Sequence, residues 1–136
     1  MSCHDIGRGI DAIMEKVLEM YDEGKIFKEA ALEMVKVFPK AVNWCDGNEY
    51  EAQETLTATH CAACLKKYRY EEDRIVYDDL DLAKEDIAKE FERDWWFTEM
   101  KKAGFNGRSV CRSCFQKIFA HCFTESGRKK LGIGND

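Results

Sequence analysis

Apolar residues recur at helical spacing through the first part of the chain and then lose that rhythm. Ile6, Ile10, Ile13, Met14, Val17, Leu18 and Tyr21 fall three or four positions apart, which predicts one helix with a single buried face. Asp5 is placed to cap it, while Gly7 and Gly9 weaken its first turns. Residues 22–25 read as a turn in which Gly24 can take a positive φ. A second helix follows, with Phe27, Ala30, Ala31, Met34, Val35 and Phe38 on its buried side and Pro39 bending or stopping it. Two helices joined by so short a turn form an antiparallel hairpin.

After residue 43 the elements shorten. Asp46 and Glu49 have capping-box spacing for a third helix over residues 49–56. The threonine-rich residues 55–59 favour an extended chain before the first cysteine pair. Residues 68–70 and 75–77 read as two strands of a β-hairpin, with the charged residues 71–74 as its turn. Asp78 and Asp79 open an acidic helix whose stripe, Ala83, Ile87, Phe91, Trp95, Trp96 and Met100, reads as core, with Gly104 as its C-cap. A last helix starts at Ser113, carries Cys114, Phe115, Ile118, Phe119 and Cys122, and stops at residues 127–130. A flexible tail is expected over residues 131–136. The fold class is therefore mainly α with a small β-hairpin (α+β). Phe91, Trp95, Trp96, Phe115 and Phe119 are expected to supply much of the core.

The chemistry sits in two cysteine pairs, Cys61-Ala-Ala-Cys64 and Cys111-Arg-Ser-Cys114. Two residues between thiols let one tight turn aim both sulfurs at a point, and two such pairs make a tetrahedral four-thiolate site with Zn–S bonds of about 2.3 Å. Thiolates of this kind select zinc, with iron as the alternative. There are seven cysteines, an odd number, and no basic-then-apolar leader at the N-terminus. That combination favours reduced thiols, metal binding and a cytoplasmic location over a disulfide framework. No apolar run is long enough to span a membrane.

Residues 58–122 resemble a treble-clef zinc finger with a helical insertion. In that class one ligand pair comes from a knuckle before a β-hairpin, matched here by Cys61 and Cys64. The other comes from the first turn of a helix, matched by Cys111 and Cys114. Neither pair is followed by the glycine common in zinc knuckles, and 46 residues separate the two pairs. The resemblance implies an arm over residues 1–57 packed on a zinc module over residues 58–130, in one compact unit.

His60 adjoins Cys61 and can replace a cysteine, support a thiolate, or simply be a hydrogen-bonded histidine. Cys3, His4 and Cys45, with His60 or His121, form a candidate second metal site. His121 and Cys122 lie about 11–12 Å along the helix from Cys114, too far for the same ion.

Charge changes the picture in one respect. The chain carries a net −5, yet residues 61–70 carry +3 and residues 101–130 carry +7, while residues 1–60 carry −6 and residues 71–100 carry −8. Positive charge thus gathers around the cysteine pairs. Lys66, Lys67, Tyr68, Arg69 and Tyr70 interleave cations with aromatics, and Arg112 and Lys117 extend them, a pattern suited to nucleic acid. A protein partner fits equally well. A DNA-binding helix-turn-helix in the first two helices is disfavoured because both are acidic.

A four-cysteine site is coordinatively closed and leaves no position for activated water. The chain has no phosphate-binding glycine loop, no His-Glu-x-x-His and no nucleophile elbow. The expectation is a non-catalytic binding adaptor with structural zinc. The alternatives are a thiol redox or metal-sensing protein, and an enzyme with an open metal site at Cys3, His4, Cys45 and His60.

Overall fold

The computed structural model of the chain describes residues 3–42, 51–88 and 109–133. Among these residues the architecture is mainly helical with one two-stranded antiparallel sheet. Helix α1 spans Cys3–Asp22 and α2 spans Lys28–Val37. They close the expected hairpin through Gly24, whose φ is 75°. The Gly24 N–H donates to the Tyr21 carbonyl (3.0 Å) and the Lys25 N–H to the Met20 carbonyl (2.8 Å), which caps the last turn of α1. Met14, Val17 and Leu18 of α1 meet Ala31 and Val35 of α2, and all five are buried. Each large side chain in that seam contributes about 1.5–3 kcal/mol. Two expected members of the seam point outward: Ile13 is 49% exposed and Phe27 83% exposed. Phe27 is instead the N-cap residue of α2, in extended conformation. Pro39 stops α2 as expected, and a 3-10 turn over Phe38–Val42 follows.

Helix α3 spans Glu54–Thr59, so the threonine stretch is helical rather than extended. Its start is held from outside. The Thr55 N–H and hydroxyl donate to the two carboxylate oxygens of Asp11 in α1, at 2.8 and 2.7 Å. This tertiary cap overrides the local preference of threonine and fastens α3 to the hairpin.

The expected hairpin of residues 68–70 with 75–77 does not form. Strand β1, Arg74–Val76, pairs antiparallel with β2, Ser109–Cys111, in the register Arg74 to Cys111 and Val76 to Ser109. The reason lies in the turn: residues 71–74 lack the glycine or asparagine of a tight hairpin, and Glu71–Asp73 form a 3-10 turn instead. The sheet is thus completed by a strand from far along the chain.

Beyond β1, residues Tyr77–Asp86 form 3-10 turns broken at Ala83, in place of the start of the expected acidic helix. Phe91, Trp95, Trp96, Met100 and Gly104 lie outside the described residues, as do Cys45, Asp46 and Glu49. Helix α4, Arg112–Phe119, leads through a short 3-10 turn into α5, Glu125–Leu131. The single last helix of the sequence reading is therefore two. Thr124 caps α5 by accepting the Gly127 N–H (3.3 Å), and Gly132, with φ 69°, ends it. Gly127 lies inside α5, where a Cβ would sit 2.7 Å from the Asp86 Cβ. Leu131 and Ile133, expected in a tail, are both buried. Phe115, Phe119 and Phe123 form the aromatic heart of this half, with ring centroids 5.4 and 5.9 Å from Phe115. No helix among the described residues is long and apolar enough to cross a membrane.

Candidate metal centre

The two cysteine pairs meet. The sulfurs of Cys61, Cys64, Cys111 and Cys114 all lie within 4.8 Å of one another, and those of Cys64 and Cys111 are 3.9 Å apart. Four thiolates at a zinc-type bond length would stand about 3.8 Å apart along each tetrahedral edge. The observed cluster therefore fits a single ion with sub-ångström to ångström contraction. Each pair offers one buried sulfur, on Cys61 and Cys111, and one half-buried sulfur, on Cys64 and Cys114.

The first pair is shaped by a knuckle closed on itself. The Cys61 N–H donates to the Lys66 carbonyl (2.9 Å) and the Leu65 N–H to the Cys61 carbonyl (2.8 Å). The Ala63 and Cys64 N–H groups both point at the Cys61 sulfur, at 3.4 Å. Leu65 takes a φ of 61°, at the position where many knuckles carry glycine. A non-glycine residue there costs about 1–2 kcal/mol. The fully buried leucine side chain offsets that strain by packing into the core. The absent glycine thus reflects a position that trades backbone ease for burial.

The second pair straddles the start of α4. Cys111 is the last residue of β2 and the N-cap of the helix, and Cys114 lies in its first turn. Positions three apart on a helix share a face, so both sulfurs turn the same way. The partial positive charge of the helix N-terminus also favours thiolates there. Ser109 joins the halves of the site. It accepts the Ala62 N–H at its carbonyl (3.1 Å), its hydroxyl donates to the Thr57 carbonyl (2.8 Å), and that hydroxyl lies 3.0 Å from the Tyr68 hydroxyl.

The electrostatics are those of thiols crowded around one negative charge. A hydrogen bond from the Cys114 thiol, helped by the Cys111, Cys64 and Ala63 N–H groups against the opposing effect of burial, lowers the Cys61 pKa to about 5. Cys114 is raised, first because its proton is held on Cys61 and then by burial. Burial raises Cys64 as well. One thiolate is thus ready-made, and a cation entering the cluster would displace the remaining protons.

His60 is not a member of the cluster. It is almost fully buried, its Nε2 donates to Asp22 Oδ2 at 2.9 Å, and its Nδ1 lies 2.7 Å from the Thr59 hydroxyl. Both ring nitrogens are engaged, so His60 ties the end of α1 to the knuckle. The side chains of Cys3 and His4, and all of Cys45, lie outside the described residues. His121 Nε2 lies 3.6 Å from the Cys122 sulfur, and Cys122 is buried core.

The cationic residues divide. Lys66, Lys67, Arg69, Tyr70 and Lys117 are exposed. Tyr68 is half-buried, bonded to Ser109, and its pKa is raised by burial, so its ring belongs to the fold. Arg112 donates from Nε to the Glu72 carbonyl (3.1 Å) and from Nη1 to the Leu131 carbonyl (2.8 Å), bracing the end of α5 against the turn before β1. Sequence reasoning missed Asp11, Asp22 and Ser109. Short polar residues with distant partners leave no periodic signal.

Comparison with known proteins returned no matching family, no matching curated protein and no matching solved structure.

Proposed function

We propose that Cys61, Cys64, Cys111 and Cys114 hold one structural zinc ion, and that the chain is a non-catalytic binding adaptor built on that centre. The convergence of four sulfurs within 4.8 Å, from a knuckle and a helix start far apart in sequence, carries the reading. When bound, zinc supplies a closed tetrahedral staple rather than a reactive position. The chain's own groups orient the sulfurs, direct N–H groups at Cys61 and close the site beneath β2. The order knuckle, strand, long insertion, strand, helix supports a treble-clef-like module in which residues 77–108 are inserted into the hairpin. In this reading residues 1–57 are an arm docked on the module through the Asp22–His60 contact and through the Thr57 carbonyl, which accepts from Arg74 and Ser109.

Elemental analysis of protein purified without added metal tests it. The expected result is about one zinc per chain, and tetrahedral cobalt bands after exchange. Iron in its place would revise the metal, and no bound metal would sink the proposal.

A second reading, a thiol redox protein, draws on the lowered Cys61 pKa beside half-buried Cys64. It requires thiols that alkylate rapidly before any chelator is added. The zinc reading requires thiols that alkylate only after chelation. An enzyme with an open site at Cys3, His4, Cys45 and His60 finds less support, because His60 is already engaged by Asp22 and Thr59.

A further inference from the structure

The four sulfurs of the cluster differ in reach. Cys64 and Cys114 are half-buried, one in each pair, while Cys61 and Cys111 are buried at 0% and 5% exposure. Each half-buried sulfur has a partner across the cluster. The Cys64 sulfur stands 3.9 Å from that of Cys111, and the Cys114 thiol hydrogen-bonds Cys61. Both contacts join an accessible sulfur to a buried one, and the knuckle to the start of α4.

Oxidation of such a cluster has two kinds of outcome. A disulfide within a pair closes a loop over two residues, and one between Cys64 and Cys111 closes a loop over 46. The longer loop constrains the unfolded chain far more. Local geometry also favours the cross-link. The Cys61 sulfur accepts the Ala63 and Cys64 N–H groups, both at 3.4 Å. A thiolate accepts such bonds better than a disulfide sulfur does, so oxidising Cys61 weakens them and oxidising Cys64 leaves them in place. Behind Cys64 and Cys111 the backbones are already fastened, since the Ala62 N–H donates to the Ser109 carbonyl (3.1 Å). The remaining closure, from 3.9 Å to about 2.05 Å, falls to the two side chains.

We infer that the centre is a peroxide-responsive switch: a peroxide oxidises Cys64, Cys111 closes a disulfide onto it, and the ion is released while the knuckle stays fastened to α4. The inference rests on the zinc reading, in which these thiols are ligands until they are oxidised.

The Cys64 thiolate attacks one oxygen of the peroxide. The O–O bond breaks, hydroxide leaves, and Cys64 becomes a sulfenic acid. The Cys111 thiolate then attacks the Cys64 sulfur. The S–S bond forms, the S–O bond breaks and a second hydroxide leaves. Two protons from solvent turn both hydroxides into water. The two sulfurs lose two electrons, the peroxide gains them, and the ion keeps its charge but only half of its ligands.

The test uses the full chain as purified, zinc-loaded, with hydrogen peroxide as the oxidant. A zinc-sensitive dye follows release, and mass spectrometry of unreduced peptides maps the bond. About one zinc should appear per peroxide consumed, with Cys64–Cys111 as the main linkage. The oxidised protein should melt about 5 °C or more above the reduced protein stripped by a chelator. A dithiol reductant followed by zinc should restore the starting form. Zinc retention under about tenfold excess peroxide would overturn the inference. So would a main linkage within either pair or to another cysteine, or an oxidised form that melts with or below the stripped one. A zinc-loaded protein that resists peroxide sinks the switch alone. A protein that carries no metal as purified sinks the zinc reading and takes the switch with it.

Discussion

The helical hairpin and the cysteine-bearing half of this protein share one buried apolar core but differ in what else orders them. In the hairpin, Met14, Val17 and Leu18 bury against Ala31 and Val35 along one continuous seam. Its stability is spread over many similar contacts, and each is replaceable. In the other half the regular elements are short, with strands of three residues each. There a core around Phe115, Phe119 and Phe123 is pinned by single polar links: Ser109 to Thr57 and Tyr68, Arg112 to two carbonyls, and four sulfurs gathered within 4.8 Å of one another. Removing one hairpin contact should subtract a few kcal/mol. Removing one sulfur should take away the organising point.

The largest expected effect follows from that contrast. Cys111→Ser should abolish zinc binding and with it stabilisation on the order of 10 kcal/mol. Cys122→Ser, at a buried cysteine outside the cluster, should keep the metal. Elemental analysis and thermal melting separate the two variants.

Acid is a gentler way to the same end. The Cys61 pKa, lowered to about 5, means its thiolate charge survives well below neutral pH. For a depressed acid the stabilisation is complete above the ordinary thiol pKa and is lost as pH falls through the folded value. In the metal-free protein one thiolate should therefore persist at neutral pH and be lost as the pH is brought down through about 5. Thiolate ultraviolet absorbance of the metal-free protein in a pH titration reads this directly, and its loss above neutral pH would contradict it.

Met14→Ala strikes the hairpin instead. It should cost about 2–5 kcal/mol in denaturant unfolding and leave zinc content unchanged. Loss of metal in this variant would show that the two halves are less separable than described.

Leu65→Gly probes the border between the two kinds of order. Relief of the positive φ returns about 1–2 kcal/mol, and loss of a buried leucine removes about 2–5 kcal/mol. A net destabilisation of a few kcal/mol or less is expected, again without loss of metal.

The smallest change should be a gain. Phe27 is exposed at the N-cap of α2 and provides no side-chain cap. Phe27→Ser supplies an oxygen to the free N–H groups there and should raise stability by about 0.5–2 kcal/mol. A lower melting temperature would mean that the Phe27 ring contributes more than its exposure indicates.

The same contrast explains what could be read beforehand. Hairpin boundaries were legible because burial repeats with the helical period and Gly24 and Pro39 punctuate it. The cluster was legible because paired cysteine spacing is specific to metal geometry. The β-hairpin was misassigned because a strand of three residues has no periodicity to detect, and Arg74–Val76 found its partner at Ser109–Cys111 instead of nearby. The division of the last helix was hidden as well: Phe119 to Phe123 keeps an apolar stripe through the break, and the stop glycine is Gly132, not Gly127.

Local chemistry written into the chain sufficed to specify two amphipathic helices, which cysteines stand in close pairs, and the gathering of positive charge near them in sequence. These depend on neighbours a few residues away. Whether the sulfurs converge, which strand completes the sheet, that His60 serves Asp22 rather than the cluster, and which of two tyrosines faces water were settled by packing. Each depends on a group distant in the chain, and side chains of one chemical type are sent inward or outward by what the fold places against them.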